Sequence, residues 1–186
     1  MESPSKLDPR TDLQLVSALN GGEADAFDVL YFRHRDWVVA LAHRFTGSED
    51  LAPDVMQETF LYFLRKFPGF RLTANLKTFL YPAVKNLSIA ARRKAARVQS
   101  TAAEQQLLEQ AVAPDTLAVA NRDLAAALAN LSAEHREVLL LRFVDDLPLA
   151  DIAEVVEVPL GTVKSRLHHA LGALRQDKRA REFFEE

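Results

Sequence analysis

Cysteine is absent from the 186 residues. Disulfides and thiolate metal sites are therefore excluded, and a reducing, cytoplasmic setting is expected. No stretch approaches the roughly 20 consecutive apolar residues that a membrane span requires. The opening MESPSKLDPRTDLQ has no apolar core of the kind a secretory signal needs, so none is expected there. Glycine (6) and proline (8) are few, and they sit between periodic segments. Sustained apolar/polar alternation, the mark of a half-buried strand, is also missing. What remains is a globular composition, 48% apolar and 26% charged, patterned throughout as helices. The length suits one medium domain or two small ones.

A net charge of −3 argues against nucleic-acid binding only as an average. Basic residues without acids run from Val84 to Ala103 (Lys85, Arg92, Arg93, Lys94, Arg97), and a second basic run follows Thr162. The acids gather at Glu49–Glu58 and Asp145–Glu157. Such partition suits one face for phosphate and others for protein, or simply ordinary solvated helix faces.

Leu13, Val16 and Leu19 recur at helical spacing before Asn20-Gly21-Gly22. Ala26, Phe27, Leu30, Val38, Leu41 and Ala42 continue as a stripe to Phe45, broken at Thr46-Gly47-Ser48. An amphipathic helix is predicted from Asp50 to Phe67, with Pro53 in its first turn and Pro68-Gly69 as its stop. Phe70–Lys77 reads as irregular. A helix is then predicted over Thr78–Arg97, with Pro82 either in its first turn or kinking it. Val98–Asp115 reads as a linker. In the second half, Leu117, Leu124, Leu128 and Leu131 outline one helix, and Ser132 caps the next. A turn follows at Asp145–Pro148, then two short helices separated by Glu157-Val158-Pro159. The fold class is all-α, two small helical domains joined by a flexible linker: residues 10–97, 98–116 and 117–180.

Leu149–Ala170 has the build of a helix-turn-helix. Val163, Leu167, Ala170, Leu171 and Leu174 form one apolar stripe. The opposite face carries Thr162, Ser165, Arg166 and His169, flanked by Lys164 and His168, with no acid among them. Such a face suits base edges and phosphates, although an ordinary αα-hairpin with a basic outer surface fits the same periodicity. Adjacent histidines on a helix point about 100° apart, so His168 and His169 do not easily share a metal ion.

In the first half, Asp54, Gln57 and Glu58 lie at i, i+3 and i+4 and form one polar patch. No histidine or further acid joins it at ligand spacing, so protein docking or plain solvation suits it better than catalysis. Phe70, Phe79 and Tyr81 stand among Arg71, Lys77, Lys85, Asn86, Arg92 and Arg93. Rings interleaved with cations suit single-stranded DNA, and the same rings also suit a core.

Together these segments resemble the extracytoplasmic-function sigma factors of the sigma-70 family. Asp54-Val55-Met56-Gln57-Glu58-Thr59-Phe60 is similar to the family's D-x-x-Q-E-x-F in region 2.2. Thr78–Asn86 is similar to its region 2.4. Leu131–Arg136, Val138–Arg142, Asp151–Glu154 and Gly161–Leu167 are similar to region 4. The resemblance implies sigma domain 2 followed by sigma domain 4, with core RNA polymerase and promoter DNA as partners and no catalysis or cofactor. It implies that Asp54, Gln57 and Glu58 dock on the polymerase's largest subunit, and that domain 4 meets the other large subunit. Phe70, Arg71, Asn75, Lys77, Lys85, Asn86, Arg92 and Arg93 would serve the −10 element. Thr162, Lys164, Ser165, Arg166, His168 and His169 would serve the −35 element. An anti-sigma factor, the group's frequent inhibitor, is a further expected partner. The chain departs from the family pattern at Pro53, Phe79, Pro82, Ala83 and His168-His169. A stand-alone helix-turn-helix regulator would need neither the acidic patch nor the aromatic, basic helix, and an enzyme would need a convergent polar site.

Overall fold

The structure, a computed structural model, describes residues 8–99 and 122–180. All regular elements among them are helices, and the chain divides into two compact units, residues 1–109 and 110–186.

In the first unit, helix α1 spans Asp12–Asn20 and opens on a capping box. The Gln14 N–H donates to Thr11 Oγ1, and the Thr11 N–H donates to Gln14 Oε1. Leu15 and Val16 are its buried residues, whereas Leu13, expected inside, is 59% exposed. Val16 is buried as the period predicts and Leu19 is half-buried, but the face turned to α2 is centred on Leu15 and Val16 and leaves Leu13 outside.

Helix α2 (Asp25–Thr46) buries Val29, Leu30, His34, Val38 and Leu41 at three- to four-residue intervals. It stops at Gly47, whose φ of 65° lies in the left-handed region that glycine adopts readily. Helix α3 (Leu51–Leu64) buries Val55, Met56, Thr59, Phe60 and Phe63. Thr59 is satisfied internally, its hydroxyl donating to the Val55 carbonyl at 2.7 Å.

Helix α4 (Leu76–Gln99) starts two residues earlier than the periodicity predicts. Asn75 is the reason: its side-chain oxygen accepts from the Lys77 N–H at 3.0 Å and caps the first turn. Pro82 consequently lies beyond the first turn, exposed, and the helix runs on through it. Helices α2, α3 and α4 each pack on the other two, and α1 lies on α2.

The second unit holds α5 (Arg122–Ala129), α6 (Ala133–Phe143), α7 (Leu149–Val155) and α8 (Leu160–Gln176). Ser132 caps α6 by accepting from the His135 N–H. Ala127, Leu128, Leu131, Leu139, Ala170 and Leu174 form a shared core, with Leu124, Leu167 and Leu171 packed against it. One cation organises the α5–α6 corner. The Arg136 guanidinium donates to the carbonyls of Leu128 (2.8 Å), Ala129 (2.7 Å) and Leu131 (2.9 Å), satisfying the end of α5. Of the expected linker 98–116, Val98 and Gln99 continue α4, and the remainder lies outside the described residues. Leu117 and the tail Glu182–Glu186 also lie outside them.

Candidate nucleic-acid interface

In the second unit, α7, the turn at Val156–Pro159 and α8 form a helix-turn-helix. Ile152 is buried on α7, and Val163, Ala170 and Leu174 are buried on α8. The first turn of α8 has no acid, so no carboxylate competes for the partial positive charge at its start. Lys164, Ser165, His168 and His169 are exposed on the outer face, and Thr162 is half-buried. The space beside Gly161 is open.

Arg166 is placed differently from its neighbours. It is half-buried, and its guanidinium meets Glu134 of α6 at 2.7 Å. His169 has two neighbours of its own, the His135 ring of α6 at 5.9 Å between centroids and the Ser165 hydroxyl at 3.4 Å. Residues 132 to 136 thus cap α6, brace Arg166, abut His169 and close α5 within about one turn.

In the first unit, Asn86, Arg93, Lys94 and Arg97 are exposed along one face of α4. With Ile89 and Ala90 they line an open groove of about 490 Å³. Lys85 is half-buried, and Arg92 reaches the Phe45 carbonyl at 3.5 Å. The segment before α4 is more structured than its composition predicts. Phe70 is half-buried in a ring cluster, 4.6 Å from Phe79 and 5.6 Å each from Phe63 and Phe67. Lys77 sits 5.4 Å over the Trp37 ring, and Asn75 is the α4 cap. Arg71 is exposed.

One contact in this region has no signature in sequence. The Asn20 carboxamide accepts from the Gly69 N–H and donates to the Phe70 carbonyl, both at 2.7 Å. A second is a part-buried network between α1 and α2. Asp12 bonds His34 Nε2 and the Arg33 guanidinium, each at 2.7 Å, and Arg33 also donates to the carbonyls of Arg10 and Asp8. Burial acts to raise the Asp12 pKa, but the His34 and Arg33 bonds and charges outweigh it and hold the carboxyl below its ordinary value.

On the outward face of α3, Asp54, Gln57 and Glu58 are all exposed, and Leu61, one turn on, is 51% exposed. A carboxylate pair beside an uncovered leucine suits contact with a protein better than a metal. No group of three or more histidines, aspartates or glutamates able to hold an ion occurs among the described residues.

These features define a class: an all-helical protein of two units, each with a basic face suited to DNA, the second built on a helix-turn-helix. The family models agree unit by unit. Sigma-70 region 2 matches residues 30–98, and Sigma-70 region 4 matches residues 127–176. The chain belongs to the sigma-70 family. Among curated proteins it is similar to the ECF RNA polymerase sigma factor SigW of Bacillus subtilis, at 27% identity covering 88% of this chain and 95% of SigW. It is similar also to the ECF RNA polymerase sigma-E factor of Escherichia coli K12, at 29% identity covering 88% and 92%. The fold matches CnrH in complex with the cytosolic domain of CnrY, with a TM-score of 0.61 and 21% identity over 87% and 93% of the two chains. It also matches the sigma factor RpoE in complex with the anti-sigma factor NepR from Bartonella quintana, with a TM-score of 0.60 and 23% identity over 81% and 94%.

Proposed function

We propose that the chain binds core RNA polymerase and directs promoter-specific initiation, with α3 as a docking face, α4 and the preceding loop serving the −10 element, and α8 serving the −35 element. The observation that carries this reading is the pairing of faces in the first unit. An exposed acidic-apolar patch at Asp54, Gln57, Glu58 and Leu61 lies on α3, and a separate basic face lies along α4. A stand-alone helix-turn-helix regulator needs only the second unit.

Within that division, Arg71, Asn86 and Arg93 are exposed and suited to DNA, and the contacts of Phe70, Asn75, Lys77 and Arg92 within the protein shape the surface. On α8, Lys164, Ser165, His168 and His169 face outward, and Arg166 braces the helix against α6. Residues 98–116 are the proposed connection between the two domains.

The proposed mechanism involves no covalent chemistry. A protein that binds melted DNA more tightly than duplex shifts the opening equilibrium by the ratio of the two affinities, with each factor of ten worth about 1.4 kcal/mol. Two modest DNA contacts on one tethered scaffold gain further by effective concentration. Both structures matched in fold are complexes, and RpoE is bound by an anti-sigma factor. An inhibitor of that kind, covering the polymerase-docking face, is the partner we propose for the resting state, in the cytoplasm. Among the described residues no helix is long and apolar enough to cross a membrane.

The test is co-elution of the purified chain with sigma-free core polymerase, alongside the Asp54→Ala/Glu58→Ala double variant. Co-elution by the parent and its loss in the variant is the expected result. Failure of the folded parent to co-elute favours the stand-alone regulator.

A further inference from the structure

Asn20 ends α1, far in sequence from the loop that precedes α4, yet it holds that loop by its main chain. Its amide nitrogen donates to the Phe70 carbonyl and its oxygen accepts from the Gly69 N–H, each at 2.7 Å. A carboxamide that donates and accepts at once imitates the edge of a peptide. Both bonds form only when the opposing backbone has one position and one orientation.

Three further features converge on the same point. Gly69 has a φ of 101°, a conformation that L side chains rarely adopt, so the chain turns sharply where Asn20 grips it. The Phe70 ring is lodged among Phe63, Phe67 and Phe79, which fixes the same residue from its other side. At the far end Asn75 is committed to capping α4. Residues 71–74 are therefore strung between two anchors, and the exposed Arg71 leaves directly from the first.

We propose that Asn20 is a positioning residue for promoter reading: it sets the path of the loop at 71–75 and thereby base discrimination at the −10 element, without touching DNA itself. The inference rests on the reading of that loop as part of the −10 surface. Asn20 is demanding to replace. Aspartate keeps the size but has no donor, and it places a carboxylate oxygen against the Phe70 carbonyl. Alanine loses both bonds.

The test uses holoenzyme reconstituted from the full chain and core polymerase, with fork-junction DNA randomised across the −10 element as the probe. Parent, Asn20→Asp and Asn20→Ala holoenzymes each select from the pool, and selected bases are counted by sequencing. Core co-elution and thermal unfolding of each chain are measured alongside, together with hydrogen exchange of the Gly69 amide. The expected result is retained co-elution, faster Gly69 exchange in Asn20→Ala, and selectivity reduced by roughly fivefold or more at one or more −10 positions in both variants. Fivefold is the low end of what one well-placed base contact contributes. A merely structural role would weaken binding evenly across the pool, and an unchanged selectivity profile with faster Gly69 exchange overturns the proposal. If the parent holoenzyme itself selects no −10 sequence, the functional reading of the loop fails first, and the inference falls with it. Should Asn20→Ala fold poorly, Asn20→Asp decides alone by its selectivity profile, since its carboxylate still accepts from the Gly69 N–H, and an unchanged profile overturns the proposal.

Discussion

Ser88 is fully buried on α4, and its hydroxyl has no hydrogen-bond partner among the described residues. Burying an unsatisfied hydroxyl costs about 1–3 kcal/mol. Ser88→Ala is expected to stabilise the first unit by about 1 kcal/mol, read from the midpoint of urea unfolding. Asp12 presents the opposite case, a half-buried carboxylate engaged by two partners. Its pKa lies below the ordinary 3.8 in the folded chain. Protons therefore bind the unfolded state more readily than the folded one as pH falls. The stabilisation is complete above the unfolded-state value and is lost as pH drops through the folded one. Asp12→Asn should lower the melting temperature clearly at pH 7, and the gap to the parent should shrink as the scan is repeated from about pH 5 down to about pH 3. A gap independent of pH would mean that shape, not charge, ties α1 to α2.

At the scale of elements, the helices follow from periodicity and caps, while the contacts that lock them together do not. The buried stripe of α2 and the outer face of α3 were legible because each repeats at three- to four-residue spacing. The start of α4 was misplaced by two residues because Leu76 and Lys77 belong to a polar stretch, although Asn75 is an ordinary capping residue. The contacts of Asn20 and Arg136 are not legible for a plainer reason: both bind main-chain groups, which every residue carries and no pattern marks. Arg136 shows the size of such a contact. Its pKa is lowered by burial, and its fork reaches three carbonyls that an ammonium cannot span. Arg136→Lys is expected to destabilise the second unit by about 2 kcal/mol, seen as an earlier unfolding transition while the first unit's transition stays in place.

At the scale of the whole molecule, net charge is −3, yet α4 and α8 carry exposed cations and no acid. Association with DNA should therefore be local and strongly salt-dependent, despite the overall sign. Fluorescence anisotropy of holoenzyme on duplex promoter DNA, titrated with salt, should give a log–log slope that becomes shallower by about one for each phosphate-contacting cation removed. Lys164→Ala and Arg93→Ala are the informative pair, one for each unit. A slope untouched by both would place the phosphate contacts elsewhere. The proposed DNA-facing residues are only partly legible in sequence, because composition does not say which cations already have a partner within the chain. Arg166, Lys77 and Arg92 match the expected residue types, and the fold gives all three a partner within the chain.

The first turn of α6 has a consequence for how variation in this protein would be interpreted. Ser132, Glu134, His135 and Arg136 each support a different neighbour, and α8 leans on two of them. A deep mutational scan scored on promoter output should thus show an intolerant band at these positions, on a helix other than the one proposed to read DNA. A map drawn from DNA proximity alone would colour that band neutral. Lineages that retune the outward residues of α8 would be expected to leave this turn alone, so that the reading surface diverges while its mounting stays fixed.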